Sequence, residues 1–297
     1  MAIQGGLGNQ LFQFYFAHTI SENSQFRIDP LYKMTTIGLR NFELQPLIEK
    51  CSHLEHRTDQ NFLSPFTKSY YKILESLWEF GSLRRFVEVL GYFREDPRFD
   101  QNQSKRNSKK TKYAKGYFQK QAEIEEVFSL VEKELLPVVQ EVLATLEERM
   151  QLGSNYTVLH VRRGDYEADE FTPIIIGTLG DEYFLRRLEG MDTSNLILLT
   201  ENHEDVTALV NALNPRMVLD KFDTTPWETL AIMYGASQFL GANSSLSWWG
   251  ARLCSAKGGQ VWLPSQWSYW KNIDPTDYHF PGSNIASVYW VQGHQQS

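Results

Sequence analysis

The residues best suited to chemistry lie together in Thr157–Tyr166, which reads Thr-Val-Leu-His-Val-Arg-Arg-Gly-Asp-Tyr. A β-branched and apolar run gives way to two arginines, a glycine and an acid, the pattern of a strand delivering polar side chains into a turn. Side chains alternate across a strand, so His160 and Arg162 are expected on one face, with Arg163 and Gly164 opening the turn and Asp165 just beyond it. A guanidinium is always charged and matches phosphate oxygens two at a time. An imidazole, two guanidiniums and a carboxylate at the carboxyl end of a strand therefore read as a grip for an anion, and a diphosphate suits it. Where a leaving diphosphate gains charge as its bond breaks, a fixed arginine stabilises that charge. Many enzymes of this kind hold a divalent metal with Asp-x-Asp instead; that motif is absent, so no metal and no cofactor are expected.

Asp165 has two readings of equal weight: a general base for an incoming hydroxyl, or an ion-pair partner of Arg162 or Arg163. Glu167 and Asp169 are weaker candidates for the base. A second polar group is Asn243-Ser244-Ser245-Leu246-Ser247-Trp248-Trp249-Gly250. Asn and Ser cap helices well; equally, the Ser244 and Ser245 hydroxyls and amides suit a phosphate. The two tryptophans are expected to pack rather than to platform a sugar. A third group is Gly5-Gly6-Leu7-Gly8 ahead of a helical pattern, with Asn9 as candidate N-cap and Gln10–Leu11 opening the helix. It is either a tight strand–helix turn or a loop for close approach of a ligand to backbone N–H groups. Gly6, Gly8 and a downstream Asp29 make a partial dinucleotide fingerprint. Leu11 stands where its third glycine belongs, so a dinucleotide-dependent oxidoreductase is the alternative reading.

The elements that must position these residues alternate. In the first half, Gln25–Asp29 reads as a strand, Tyr70–Trp78 and Leu83–Val89 as helices, Lys115–Gln119 as a strand end, and Ala122–Leu136 and Pro137–Met150 as two helices. Gly153-Ser154-Asn155 is the expected linker, dividing the chain into 1–152 and 153–297. In the second half, strands at Thr157, Asn195–Thr200, Met217–Asp220, Ser237–Ala242 and finally Gln260–Leu263 alternate with helices at Asp181–Leu188, from about Glu204, at Pro226–Gly235 and from Asn243. That is an α/β pattern with a parallel sheet covered on both faces. Ligands of such sheets sit beyond the strands' carboxyl ends, where Arg162, Glu201 and Asn243 all fall.

The totals bound the function. The chain has 297 residues, 42% hydrophobic and 13% aromatic, with formal net charge −7 and two cysteines, Cys51 and Cys254. Two ordinary domains are expected. The acidic balance argues against nucleic acid as a partner, and the cysteine count fits a reducing, cytoplasmic setting. No signal-like N-terminus and no apolar run of the roughly 20 residues needed to span a bilayer are present. Asn102–Lys115, with Lys105, Arg106, Lys109, Lys110, Lys112 and Lys115, reads as a solvated loop or as a peripheral contact with an anionic membrane face.

Four segments, Gly5–Gln13 (GGLGNQLFQ), Gly116–Gln119 (GYFQ), His160–Tyr166 (HVRRGDY) and Asn243–Trp249 (NSSLSWW), together resemble bacterial α-1,2-fucosyltransferases of glycosyltransferase family eleven. The resemblance implies a GT-B fold of two Rossmann-like domains facing a cleft, with 1–152 on the acceptor side and 153–297 holding GDP-β-L-fucose. It implies metal-independent inversion onto a galactose hydroxyl of an oligosaccharide or lipid-linked glycan. It places Arg162 on the pyrophosphate with Arg163 shaping the site, His160 near guanine or ribose, and Ser244 and Ser245, after Asn243, beside phosphate and fucose. Gly8, Asn9 and Gln10 face the cleft from the first domain. Where family members commonly carry a Ser-Asp-Asp-type segment this chain has Thr200-Glu201-Asn202; Glu201 remains able to accept hydrogen bonds from guanine. The loop Glu167–Leu179, with Thr172-Pro173-Ile174-Ile175-Ile176, is also unusual and bears on the acceptor and linkage.

Overall fold

The protein is described by a computed structural model covering residues 1–21, 26, 28–30, 41–51, 65–94, 113–163, 177–269 and 274–291. Asp165, Glu167, Asp169, most of the loop Glu167–Leu179 and the basic residues from Lys105 to Lys112 lie outside these residues. The chain divides into two compact units, Met1–Glu134 and Leu135–Ser297. Helix α6 (Phe128–Met150) carries it from the first into the second.

The first unit opens with β1 (Ala2–Ile3) and α1 (Leu7–Ser21). β2 (Asp29–Pro30) pairs in parallel with β1. Then come α2 (Gln45–Lys50), α3 (Pro65–Glu79) and α4 (Arg84–Val89). β3 (Tyr92–Arg94) pairs in parallel with β4 (Tyr113–Lys115), and α5 (Gln121–Glu126) precedes α6. Leu74 and Trp78 of α3, Val87 of α4, Ala2, Tyr92 and Tyr113 form one buried cluster. A smaller one joins Phe16, Ala114 and Phe118.

α1 begins earlier than its sequence suggests. Gln10 N donates to Gly6 O at 3.0 Å, so Gly6 precedes the helix and Asn9 lies inside the first turn rather than capping it. α6 also differs from expectation. It runs through Pro137 instead of breaking there, because Leu135, Val138 and Val139 are all buried and their burial outweighs the roughly 3 kcal/mol an interior proline costs.

The second unit is built on β5 (Thr157–His160), β6 (Leu196–Leu199), β7 (Met217–Leu219), β8 (Gln238–Leu240), β9 (Gln260–Pro264) and β10 (Ser283–Ala286). They form one parallel sheet in the order β10-β9-β8-β5-β6-β7. Helices α7 (Asp181–Leu188), α8 (Thr207–Leu213), α9 (Pro226–Gly235) and α10 (Ser245–Ala256) alternate with the strands. Every residue of β5 and β6 is buried, as two-face coverage requires. A complete capping box at Thr225 and Glu228, with Pro226 beside it, fixes the start of α9. The α/β class and the parallel sheet expected from the sequence are what the structure shows. β10, which follows the strand expected to be last, was not anticipated: Ser-Asn-Ile-Ala carries no apolar run.

This strand order places a topological switch beside β5. The chain moves from β5 to β6 and β7 on one side, then returns to lay β8 against the other side of β5. At such a point the loops leaving two adjacent strands diverge and open a crevice at their carboxyl ends.

Candidate nucleotide site at the sheet switch point

Arg162 leaves β5 at that crevice. Its Nη1 forms an ion pair with Glu201 Oε1, from the loop after neighbouring β6, and the two side chains are only 19% and 13% exposed. Arg163 is spent on structure. Its Nη1 donates to Asp205 O at 2.7 Å and its Nη2 pairs with Asp181 Oδ1 in the first turn of α7. It thus ties the end of β5 to the segment after β6 and to the start of α7.

His160 is buried, with Nδ1 2.5 Å from Ser247 Oγ on α10. Burial first, and the charge of Arg162 second, lower its pKa to about 3, so the ring is neutral near pH 7. Ser247 Oγ also accepts from Ala242 N at 3.1 Å. The end of β5, the turn after β8 and the first turn of α10 are therefore pinned together through one imidazole and one hydroxyl. Ser247 was not singled out in the sequence; its spacing after Asn243 offered no signal apart from lying in the same segment.

Ser244 stands at the N-cap of α10 in extended conformation, and its hydroxyl makes no cap hydrogen bond. Ser245 is the helix's first residue and half-buried. Asn243 is buried, and its amide donates to Gly177 O at 3.0 Å and Trp267 O at 3.3 Å, bracing two loops. Trp248 and Trp249 are buried, as expected of packing residues, and Trp248 Nε1 donates to Tyr278 O at 2.7 Å.

In the first unit the glycine loop is braced by two glutamines. Gln10 Nε2 donates to Gly5 O and Asn41 O, both at 2.8 Å, and Gln10 Oε1 accepts from Glu43 N at 2.9 Å. Gln13 Oε1 accepts from Gln4 N at 2.9 Å. Asn9 Oδ1 accepts from Gln119 Nε2 at 2.5 Å, joining the GGLGNQLFQ and GYFQ segments. Gly8 lies in the first turn of α1 and is buried. Leu11, at the position a dinucleotide fingerprint reserves for glycine, is fully buried, and that reading loses its footing.

One further group sits beside the crevice. His203 Nε2, after β6, lies 3.6 Å from Asp220 Oδ2 and 3.3 Å from Asp223 Oδ2, after β7. These three ligand atoms are close enough to share a cation and equally form ordinary ion pairs.

The largely buried Arg162 thus stands at the switch point of a parallel sheet, where ligands of open α/β sheets bind. A family model for glycosyl transferase family 11 matches residues 1–269, and the chain belongs to that family. It is similar to the alpha-1,2-colitosyltransferase of Escherichia coli, 23% identical over 292 residues, spanning 89% of this chain and 90% of that protein. Among solved structures it is similar to fucosyltransferase NodZ from Bradyrhizobium, with TM-score 0.46 and 12% identity over 84% of this chain and 90% of that one. It is also similar to POFUT1 in its apo form, with TM-score 0.41 and 12% identity over 88% and 95%. No helix among the described residues is long and apolar enough to cross a membrane.

Proposed function

We propose that the chain is an inverting fucosyltransferase that moves L-fucose from GDP-β-L-fucose to a hydroxyl, in α-1,2 linkage, of a terminal galactose on an oligosaccharide or lipid-linked glycan. The observation that carries this is Arg162 at the carboxyl end of β5, on the crevice between strands that diverge to β6 and β8, in a chain of glycosyl transferase family 11. On this reading the second unit holds the donor, the first unit receives the acceptor, and the two form a GT-B enzyme.

The chemistry follows from charge. As the bond between C1 of fucose and the β-phosphate oxygen breaks, negative charge grows on the diphosphate. Arg162 faces that charge from a site where few waters screen it, and electrostatic stabilisation by a fixed group is strongest there. A guanidinium has five N–H donors, enough to hold a carboxylate and a phosphate together. The Ser244 and Ser245 hydroxyls and the first-turn N–H groups of α10 approach from the other side of the crevice, at the positive end of the helix dipole. His160 and Arg163 serve this site by holding its walls. Asp165 is proposed as the base that takes the acceptor proton. Asn9 and Gln10, in the first turn of α1, stand directly after the glycine loop of the first unit that is proposed to meet the acceptor. Arg162 takes the charge-stabilising role of a metal, so no cofactor is required.

The name of the E. coli relative favours one second reading, a colitose donor. The test is incubation with GDP-fucose or GDP-colitose and a panel of galactose-terminated acceptors, with and without EDTA, followed by linkage determination. Fucose in α-1,2 linkage, formed undiminished in EDTA, is the expected result. Transfer of colitose alone replaces the donor. A requirement for added divalent metal replaces the metal-free mechanism and directs attention to His203, Asp220 and Asp223. Absence of transfer from either donor sinks the reading.

A further inference from the structure

The Asn243–Trp249 segment does more than begin α10; it builds a seat for one aromatic side chain. Asn243 Nδ2 donates to Trp267 O at 3.3 Å, and Trp248 Nε1 donates to Tyr278 O at 2.7 Å. Tyr278 joins the two contacts. Its Oη accepts from Trp267 N at 2.8 Å, and the Trp267 and Tyr278 rings lie 5.0 Å apart. Tyr278 is buried, but Trp267 is only half-buried. The Trp267 indole N–H is open to solvent and donates to no group among the described residues. Both hydrogen bonds to Trp267 use its main chain. The fold thus holds the residue in place and leaves its indole with apolar surface and a donor to offer. That pairing suits a ligand that presents C–H groups and hydroxyls together, as a sugar does.

Its place beside the sheet decides which part of a ligand it meets. Trp267 follows the carboxyl end of β9, whose neighbour β8 leads into Asn243 and the first turn of α10. β5, which delivers Arg162, lies on the far side of β8. On the transferase reading, on which this inference rests, Arg162 and the start of α10 grip the diphosphate. The nucleoside and the sugar leave a diphosphate from opposite ends. Ser244 and Ser245 border the sugar on that reading, and Asn243 beside them holds Trp267; the sugar end therefore lies toward β9. Fucose and colitose share a methyl group at C5, where L-galactose carries a hydroxymethyl group. A methyl group loses nothing against an indole face, whereas a hydroxyl pressed there gives up hydrogen bonds to water.

We propose that Trp267 is the wall against the C5 methyl group of the donor sugar and makes the site select a 6-deoxyhexose over its 6-hydroxy counterpart. The test is calorimetric titration of the full chain with GDP, GDP-β-L-fucose and GDP-β-L-galactose, which needs no acceptor and no turnover. The wild type is expected to bind GDP-fucose roughly tenfold or more tighter than GDP-L-galactose. Trp267→Ala is expected to bring the two within about threefold of each other while leaving the affinity for GDP unchanged. Trp267→Gln offers hydrogen bonds to a 6-hydroxyl and is expected to do the same or to reverse the order; it decides the matter where the alanine variant does not fold. Equal affinities for the two sugar nucleotides in the wild type, or the same ratio in the variants as in the wild type, overturn the proposal and leave the transferase reading standing. Loss of GDP affinity in step with that for GDP-fucose also overturns it, since Trp267 then supports the fold of the whole site. A wild type that does not bind GDP overturns both.

Discussion

Arg162 and Glu201 form an ion pair across the carboxyl ends of the neighbouring strands β5 and β6, and both side chains are largely buried. The contact sets the electrostatics of the crevice. A buried charge stripped of its partner is costly, so Arg162→Ala is expected to lower stability by about 1–3 kcal/mol, and Glu201→Gln in the same chain is expected to restore part of it. The two single variants should part company in GDP binding. On the proposed reading, removing Arg162 takes away a charge-assisted bond to phosphate, worth roughly 1.5–3 kcal/mol, so affinity is expected to fall at least tenfold. Glu201→Gln keeps an acceptor for Arg162 while removing a negative charge beside the proposed diphosphate site, so affinity is expected to rise several-fold. Calorimetric titration with GDP checks both. A weaker Glu201→Gln complex would mean that the carboxylate reads the base instead of competing with phosphate.

His160 gives the protein an acid sensitivity whose sign follows from its burial. Its folded-state pKa is depressed to about 3, from 6.5. The unfolded chain therefore takes up a proton between these values that the folded chain refuses, and stability is lost as pH falls below about 6.5. Each pH unit in that window costs about 1.4 kcal/mol, so the step from pH 7 to pH 5 should cost the wild type about 2 kcal/mol through this residue. His160→Asn is expected to be less stable at pH 7, having lost the contact to Ser247, and to show a smaller drop between pH 7 and 5. Denaturant midpoints at the two pH values measure the difference.

The same residue shows how far the sequence could be read. Strand alternation put His160 and Arg162 on one face; β6 was recognisable because two-sided burial makes Leu-Ile-Leu-Leu wholly apolar, and β5 from its β-branched and apolar Thr-Val-Leu run. Periodicity gives a face but not a depth. His160 turns into the layer beneath α10 to meet Ser247, 87 residues away, and Arg163, which looked like half of an anion grip, is taken up by Asp181 and Asp205. Such partnerships depend on which strands become neighbours, and the return of β8 to the far side of β5 leaves no local trace in the chain. The start of α1 was misread for a related reason. Asn9 has the chemistry of an N-cap, but its side chain is engaged by Gln119, 110 residues on.

That contact makes Gly5 a sensitive position. Gly5 has φ +78°, and a Cβ there would stand 2.5 Å from Asn9 Nδ2. Gly5→Ala therefore meets a left-handed backbone and displaces the side chain that joins the two motif segments, with an expected cost of about 1–3 kcal/mol. A Cβ on neighbouring Gly6 meets nothing within 4 Å, and Gly6→Ala should cost under ~1 kcal/mol, chiefly from its place before α1. If the loop meets the acceptor, Gly5→Ala should also raise the acceptor KM more than the donor KM. Equal melting temperatures for the two variants would show that the backbone at Gly5 has room to relax.

The two cysteines report on the two units separately. Cys51 lies in the first unit and Cys254 in the second, both as free, buried thiols. Burial, reinforced by Glu134, pushes Cys51 up to about 12; burial likewise pushes Cys254 up to about 12, where its Sγ donates to Ala236 O at 3.2 Å. The reactive species is the thiolate, so neither should react appreciably with a thiol reagent at pH 7 in the native protein. Labelling then requires opening of the surrounding unit, and its rate at limiting reagent gives the free energy of that opening. With Cys254→Ala the remaining signal belongs to the first unit, and with Cys51→Ala to the second. The parallel-sheet unit, with its fully buried central strands, is expected to open at higher denaturant than the first unit. Coincident midpoints for the two thiols would instead show that the units unfold as one.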